Sequence, residues 1–90
     1  MGRFTVRVEE GNAHGGLYEL EQTTYYQVVD TLSGAVVMTF EGEMEASLSD
    51  VGLWDDYHFS GVREVTVAPD EQSVTVRYYD GREETVQLPQ

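Results

Sequence analysis

Residues 54–59, Trp-Asp-Asp-Tyr-His-Phe, hold the densest set of groups in the chain that could do chemistry. Two carboxylates and an imidazole sit among three large rings. Exposed Trp and Tyr anchor protein interfaces well, and loops on a rigid scaffold commonly carry binding. Taken as a connection between strands, this segment predicts an aromatic–acidic binding loop built on Trp54, Asp55, Asp56, Tyr57 and His58. The competing expectation is that Trp54, Tyr57 and Phe59 plug one end of a thin core. Any metal site would have to use Asp55, Asp56 and His58, with His14 from a distant glycine-rich stretch. Those ligand types suit zinc or a harder divalent ion, but their spacing matches no established pattern. Residues 50–56 also lack the alternating order of a calcium loop. No metal or other cofactor is expected.

Catalytic motifs are missing. Ser60 lies two residues from His58, yet no Gly-x-Ser-x-Gly elbow is present, and neighbours two apart on a strand do not build a triad. Seventeen acids always contain some pair that could be drawn as a hydrolase dyad, so such pairs carry no information. The stretch Gly-Asn-Ala-His-Gly-Gly at 11–16 lacks the Gly-Lys-Ser/Thr ending of a phosphate loop, and no helix clearly follows it. It is expected to be a flexible loop with a solvated His14. A chain of 90 residues also has little room for a deep substrate pocket. The expectation is a protein without enzymatic activity.

Composition sets further limits. Five arginines and no lysine oppose the seventeen acids, for a net charge of −12. Such a chain repels nucleic-acid phosphates and anionic lipid, so neither is an expected partner. Lysine, isoleucine and cysteine are absent and Asn12 is the only asparagine, a halophile-like composition that suggests a GC-rich genome. Adaptation and solubility therefore compete with a surface shaped for a basic protein. Without cysteine there is no disulfide and no thiolate chemistry. No apolar run approaches the roughly 20 residues of a membrane span, and nothing requires secretion, so the cytoplasm is the expected compartment.

The elements that must position these groups follow from alternation. At 3–9, Phe4, Val6 and Val8 face one way and Thr5, Arg7 and Glu9 the other, a half-buried strand. Residues 23–30 form a second strand, preceded by a short strand or lead-in at 17–20. A three-residue turn ending at Gly34 would set Val28 against Met38 and Tyr26 against Phe40. Near the C-terminus, 62–67, 73–79 and 82–88 predict three strands. A two-residue Asp-Gly turn would split their apolar set between faces. A bulged three-residue turn at Tyr79-Asp80-Gly81 instead pairs Val74 with Val86, Thr75 with Thr85 and Arg77 with Glu83. Between 43 and 61, helical spacing of Leu48, Val51 and Trp54 competes with continuation of the preceding strand through Met44, Ala46 and Leu48. Continuation followed by an ordered loop is favoured, because Gly52 weakens a helix.

Together these features predict one all-β domain over residues 1–90, with at most one short helix. Its expected form is a small antiparallel sandwich or incomplete barrel of five to six strands joined by sequential hairpins. Tyr26 and Tyr78 should face the core, leaving Tyr25 and Tyr79 outside beside carboxylates, where they join the candidate partner-binding set. The expected function is a protein-binding or regulatory module. Its partner is a basic protein surface or, through a sheet edge, a second copy. One alternative is an inhibitor that imitates nucleic acid; another is a small metal-binding protein or metal-dependent enzyme.

Overall fold

Alternating apolar and polar residues settle into six antiparallel strands, with no helix among the described residues of the computed structural model. The structure describes residues 2–16, 19–48 and 54–89, with residues 48 and 54–56 described by their backbone alone. The strands β1 (Phe4–Glu10), β2 (Glu19–Asp30), β3 (Val36–Leu48), β4 (Trp54–Val67), β5 (Ser73–Tyr78) and β6 (Glu83–Gln87) pair in chain order. This is the all-β meander of sequential hairpins that the alternation predicts. The sheet does not close into a barrel.

Both hairpin registers follow the apolar pattern. Val28 faces Met38 and Tyr26 faces Phe40 across β2 and β3. Gly34, at φ 77°, donates its N–H to the Asp30 carbonyl at 2.7 Å, supplying the left-handed position that this turn demands. Val74 faces Val86, Thr75 faces Thr85 and Arg77 faces Glu83 across β5 and β6, as expected for the bulged turn at Gly81.

Three expectations need correction. Residues 54–59 are not a loop: they open β4, which begins at Trp54 rather than at Val62. Each residue from 56 to 60 finds a partner in β3, from Asp56 opposite Ser47 to Ser60 opposite Glu43. The β-preference of Trp, Tyr and Phe and a ready partner strand outweigh the two aspartates. Second, β2 begins at Glu19 and so extends the strand expected at 23–30. Third, the glycine-rich stretch is not a free loop. Gly11 donates to the Thr23 carbonyl (2.8 Å), and His14 and Glu21 exchange backbone bonds of 2.8 and 2.6 Å. The stretch thereby satisfies backbone groups on β2 that β1 does not reach. The continuation of β3 through Met44 and Ala46 is as expected. Residues 17, 18 and 49–53, part of the lead-in and of the 43–61 segment, lie outside the described residues.

β4 has two partners in succession. Its first half pairs with β3 as far as Gly61 opposite Gly42, and its second half pairs with β5 from Val62 onward. A Cβ on Gly42 would collide with the Val62 carbonyl oxygen, and one on Gly61, at φ 72°, would lie 2.8 Å from the Glu41 carbonyl oxygen. Only glycine permits this backbone approach. Past the crossing, β4 supplies Val62 and Val65 and β5 supplies Val74 and Val76 to a core shared with Phe4 of β1 and Val28 of β2 and completed by Leu88, with Val86 of β6 packed against it. Tyr26 and Tyr78 pack against that core, as expected from their registers.

The connection between β4 and β5 is tied both to β1 and to the chain after β6. The Glu71 carboxylate accepts N–H bonds from Arg3 (2.6 Å) and Phe4 (3.1 Å), and Leu88 donates its N–H to the Gln72 carbonyl at 2.9 Å. Arg3 also reaches the largely buried carboxylate of Asp30 at 2.9 Å.

Candidate protein-binding arm

Beyond the glycine crossing, residues 19–25 of β2, 41–48 of β3 and 54–61 of β4 continue as a three-stranded arm, in a molecule 51 Å long and 17 Å in its thinnest dimension. Alternation gives the arm two unlike faces. Directly opposed residues share a face, so Leu20, Ala46 and Tyr57 form one row and Gln22, Met44 and Phe59 the next. These rows continue the core face past the point where β4 and β5 cover it. Tyr57 and Phe59 are accordingly 50% and 51% exposed, rather than core plugs. Phe59 stacks on Tyr79 with ring centroids 5.3 Å apart, and the Tyr79 N–H is held by the Gly61 carbonyl at 3.1 Å.

The opposite face is acidic. Glu21 stands opposite Glu45, which stands opposite His58; Glu43 lies between Thr23 and Ser60; Glu41 faces Tyr25, and Glu19 faces Ser47. No arginine pairs with Glu19, Glu21, Glu41, Glu43 or Glu45 among the described residues. The arginine ion pairs lie elsewhere: Arg3 with Asp30, Arg7 with Glu9, Arg77 with Glu64 and Glu83, and Arg82 with Asp80. On the arm, His14 Nδ1 lies 4.0 Å from Glu21 Oε2.

Groups at the other end have resolved electrostatic shifts. The Arg3 hydrogen bond holds the Asp30 carboxyl below the usual carboxylate range, reinforced by the Leu32 N–H and opposed by burial. Asp80 is likewise lowered, first by the Arg82 backbone N–H. Burial raises the Tyr26 hydroxyl, with the charges of Tyr79, Glu64 and Glu10 adding to it, and that hydroxyl donates to the Arg63 carbonyl at 2.9 Å.

The predicted site residues are only partly brought together. Tyr57 and His58 occupy opposite faces of β4, and Tyr79 joins the apolar side through Phe59. Tyr25 lies on the acidic face, half-buried beside Glu41 and remote in register from residues 57–59. Trp54, Asp55 and Asp56 belong to β4 by their backbone, while their side chains lie outside the described residues. His14 and His58 stand at opposite margins of the arm, with Glu21 and Glu45 between them. That is three strand spacings, about 14 Å, too far for the two to share one ion. Among the described residues no three His, Asp or Glu side chains gather as a metal set. The placement of Glu43 and Glu45 on one face escapes sequence reasoning, because a Glu-x-Glu repeat does not reveal which glutamates face one another.

The fold and this arm define an acidic antiparallel β-meander protein. No protein-family model, curated protein or solved structure matches the chain.

Proposed function

We propose that the protein is a non-enzymatic binding module whose arm meets a basic protein surface. The observation that carries this reading is the separation of charge. The arginine ion pairs gather outside the arm, while Glu21, Glu43 and Glu45 stand on one face with no arginine paired to them among the described residues. Opposed like charges cost stability, so the arrangement acts as a standing attraction for arginine or lysine from outside. The half-exposed Tyr57 and Phe59 on the other face add the aromatic anchors that interfaces favour. Adaptation to salt alone would explain abundant acid without explaining its segregation.

An arginine-rich peptide serves as the probe. Neutralising two arm carboxylates in E43Q/E45Q should weaken its binding by about tenfold or more. The equally charged control E83Q/E84Q, at the far end of the molecule, should weaken it by less than about threefold. Equal losses in the two variants would refute the reading, leaving net charge alone.

Imitation of nucleic acid is a second reading, favoured by one observation. Glu41, Glu43 and Glu45 recur at alternate positions along β3 on a single face. Their spacing is about 7 Å, a regular row of anionic charge. Competition between DNA and this protein for a basic nucleic-acid enzyme tests it.

A further inference from the structure

Both histidines of the chain stand in one row of the arm. His14 is directly opposite Glu21, Glu21 opposite Glu45, and Glu45 opposite His58, so two carboxylates lie between two imidazoles across the acidic face. The glycine-rich stretch holds His14 in this place. Backbone bonds tie His14 to Glu21 in both directions, and Gly15 lets the chain approach β2 so closely that an added Cβ would collide with the Glu19 carbonyl oxygen. The His14 Nδ1 then lies 4.0 Å from Glu21 Oε2, with 69% of the His14 side chain exposed. A shallow hollow of about 170 Å³ sets His14 beside Glu21, Glu43 and Glu45. At the other margin, a hollow of about 80 Å³ sets His58 beside Glu19, Glu21 and Glu45. Asp56 precedes His58 by two residues on β4, and Glu41 lies further along β3 on the same face as Glu43 and Glu45. Among the described residues, no arginine lines either hollow.

We propose that this row makes the acidic arm sensitive to pH, with His14 and His58 weakening its hold on a basic partner as acidity rises. The inference rests on the proposed binding role of the arm and adds its regulation. Histidine ordinarily gains its positive charge near pH 6.5, whereas carboxylic acids lose their negative charge only near pH 4. Between about pH 7.5 and 5.5, a face built of both kinds therefore changes its charge through the imidazoles. Each proton taken up places a cation beside Glu21 or Glu45, where an arriving arginine or lysine then meets a charge of its own sign. The coupling is reciprocal: a bound cation disfavours the protonated imidazoles, so binding is tightest at neutral pH and weakens as pH falls.

The effect comes from position. Two protons change the net charge of the chain only from −12 to −10. On the arm, the same two charges stand in the row that holds Glu21 and Glu45, with Glu19 and Glu43 in the rows on either side. The imidazoles lie three strand spacings apart, about 14 Å, which exceeds the Debye length of about 8 Å at physiological salt, so their effects add. An exposed charge contact changes affinity by about 1.5-fold to fivefold, and two together should give about threefold to tenfold at low salt.

The test measures the affinity of the whole protein for an arginine-rich peptide with blocked ends at pH 7.5, 6.5 and 5.5, at one low ionic strength. Blocking removes the terminal amine, which would otherwise titrate near this range. The parent should bind about threefold to tenfold more weakly at pH 5.5 than at pH 7.5. H14Q and H58Q should each keep part of that loss, and H14Q/H58Q should bind alike at both pH values. Moving the imidazoles to the far end of the molecule, in H14Q/H58Q/Q72H/Q87H, should leave binding independent of pH. All four positions are exposed, so the variants keep the fold, which circular dichroism at each pH checks. A parent with equal affinity at pH 7.5 and 5.5 overturns the proposal and leaves the arm standing as a binding face. An equal loss in the parent and in H14Q/H58Q, or its return when the histidines are moved, overturns it too. Absence of binding at pH 7.5 removes the proposed function and this inference together.

Discussion

Glu21 and Glu45 face each other directly across β2 and β3, with His58 next in the same row. Like charges opposed on a sheet repel by a few tenths to about 1 kcal/mol. Glu45→Gln should therefore stabilise the protein by about 0.2–1 kcal/mol in urea unfolding at low salt. Screening should shrink the gain as salt rises past about 0.15 M. A destabilised E45Q would show that the pair is compensated in some other way.

The glycine crossing makes a sharper demand. Gly42→Ala and Gly61→Ala each place a methyl group against a carbonyl oxygen of the neighbouring strand, and the second also adopts a positive φ. Each should cost about 1–3 kcal/mol of stability. Gly16→Ala, where an added Cβ meets open space, should cost less than about 1 kcal/mol. Chemical denaturation of the three variants separates the positions.

Much of the fold is legible from residues alone because local and long-range signals agree at the hairpins. At Gly34 and Gly81 the turn chemistry and the apolar face pick the same register, so Val28 meets Met38 and Val74 meets Val86. β4 hides itself for the opposite reason. Gly61 and the irregularity between Val62 and Glu64 shift its alternation, so Phe59, Val62 and Val65 do not follow one period. The strand looks like a loop joined to a strand. The acidic arm is less legible still. Whether Glu21 opposes Glu45 is decided by a pairing between residues 24 apart, and how far β4 pairs with β5 is decided by the change of partner at Gly61 and Val62.

Asp30 sets the acid limit of one tie in the structure. Its carboxyl is held low chiefly by Arg3, so its contribution is complete above the unfolded-state value near 3.9 and is lost as pH falls through the folded-state value. Asp30→Asn should be less stable than the parent at neutral pH. The difference should shrink below about pH 4 and vanish at lower pH. Unfolding curves of both proteins from pH 7 to about pH 2 check this; a constant difference would contradict the assignment.

Glu71 should matter through geometry. Its carboxylate receives the Arg3 and Phe4 N–H groups, joining β1 to the connection between β4 and β5. Glu71→Ala should cost about 1–3 kcal/mol and speed amide exchange at Phe4. Glu71→Gln, which keeps an acceptor oxygen, should recover part of the loss.

Mapping the arginine-rich peptide onto the protein by amide chemical shifts, titrated at low and at high salt, is the most informative measurement. Binding through the arm predicts that the largest shifts fall in residues 41–47 and 54–60, fade with salt, and are reduced in E43Q/E45Q but retained in E83Q/E84Q. Shifts spread evenly over the acidic surface, or centred on β5 and β6, would contradict it.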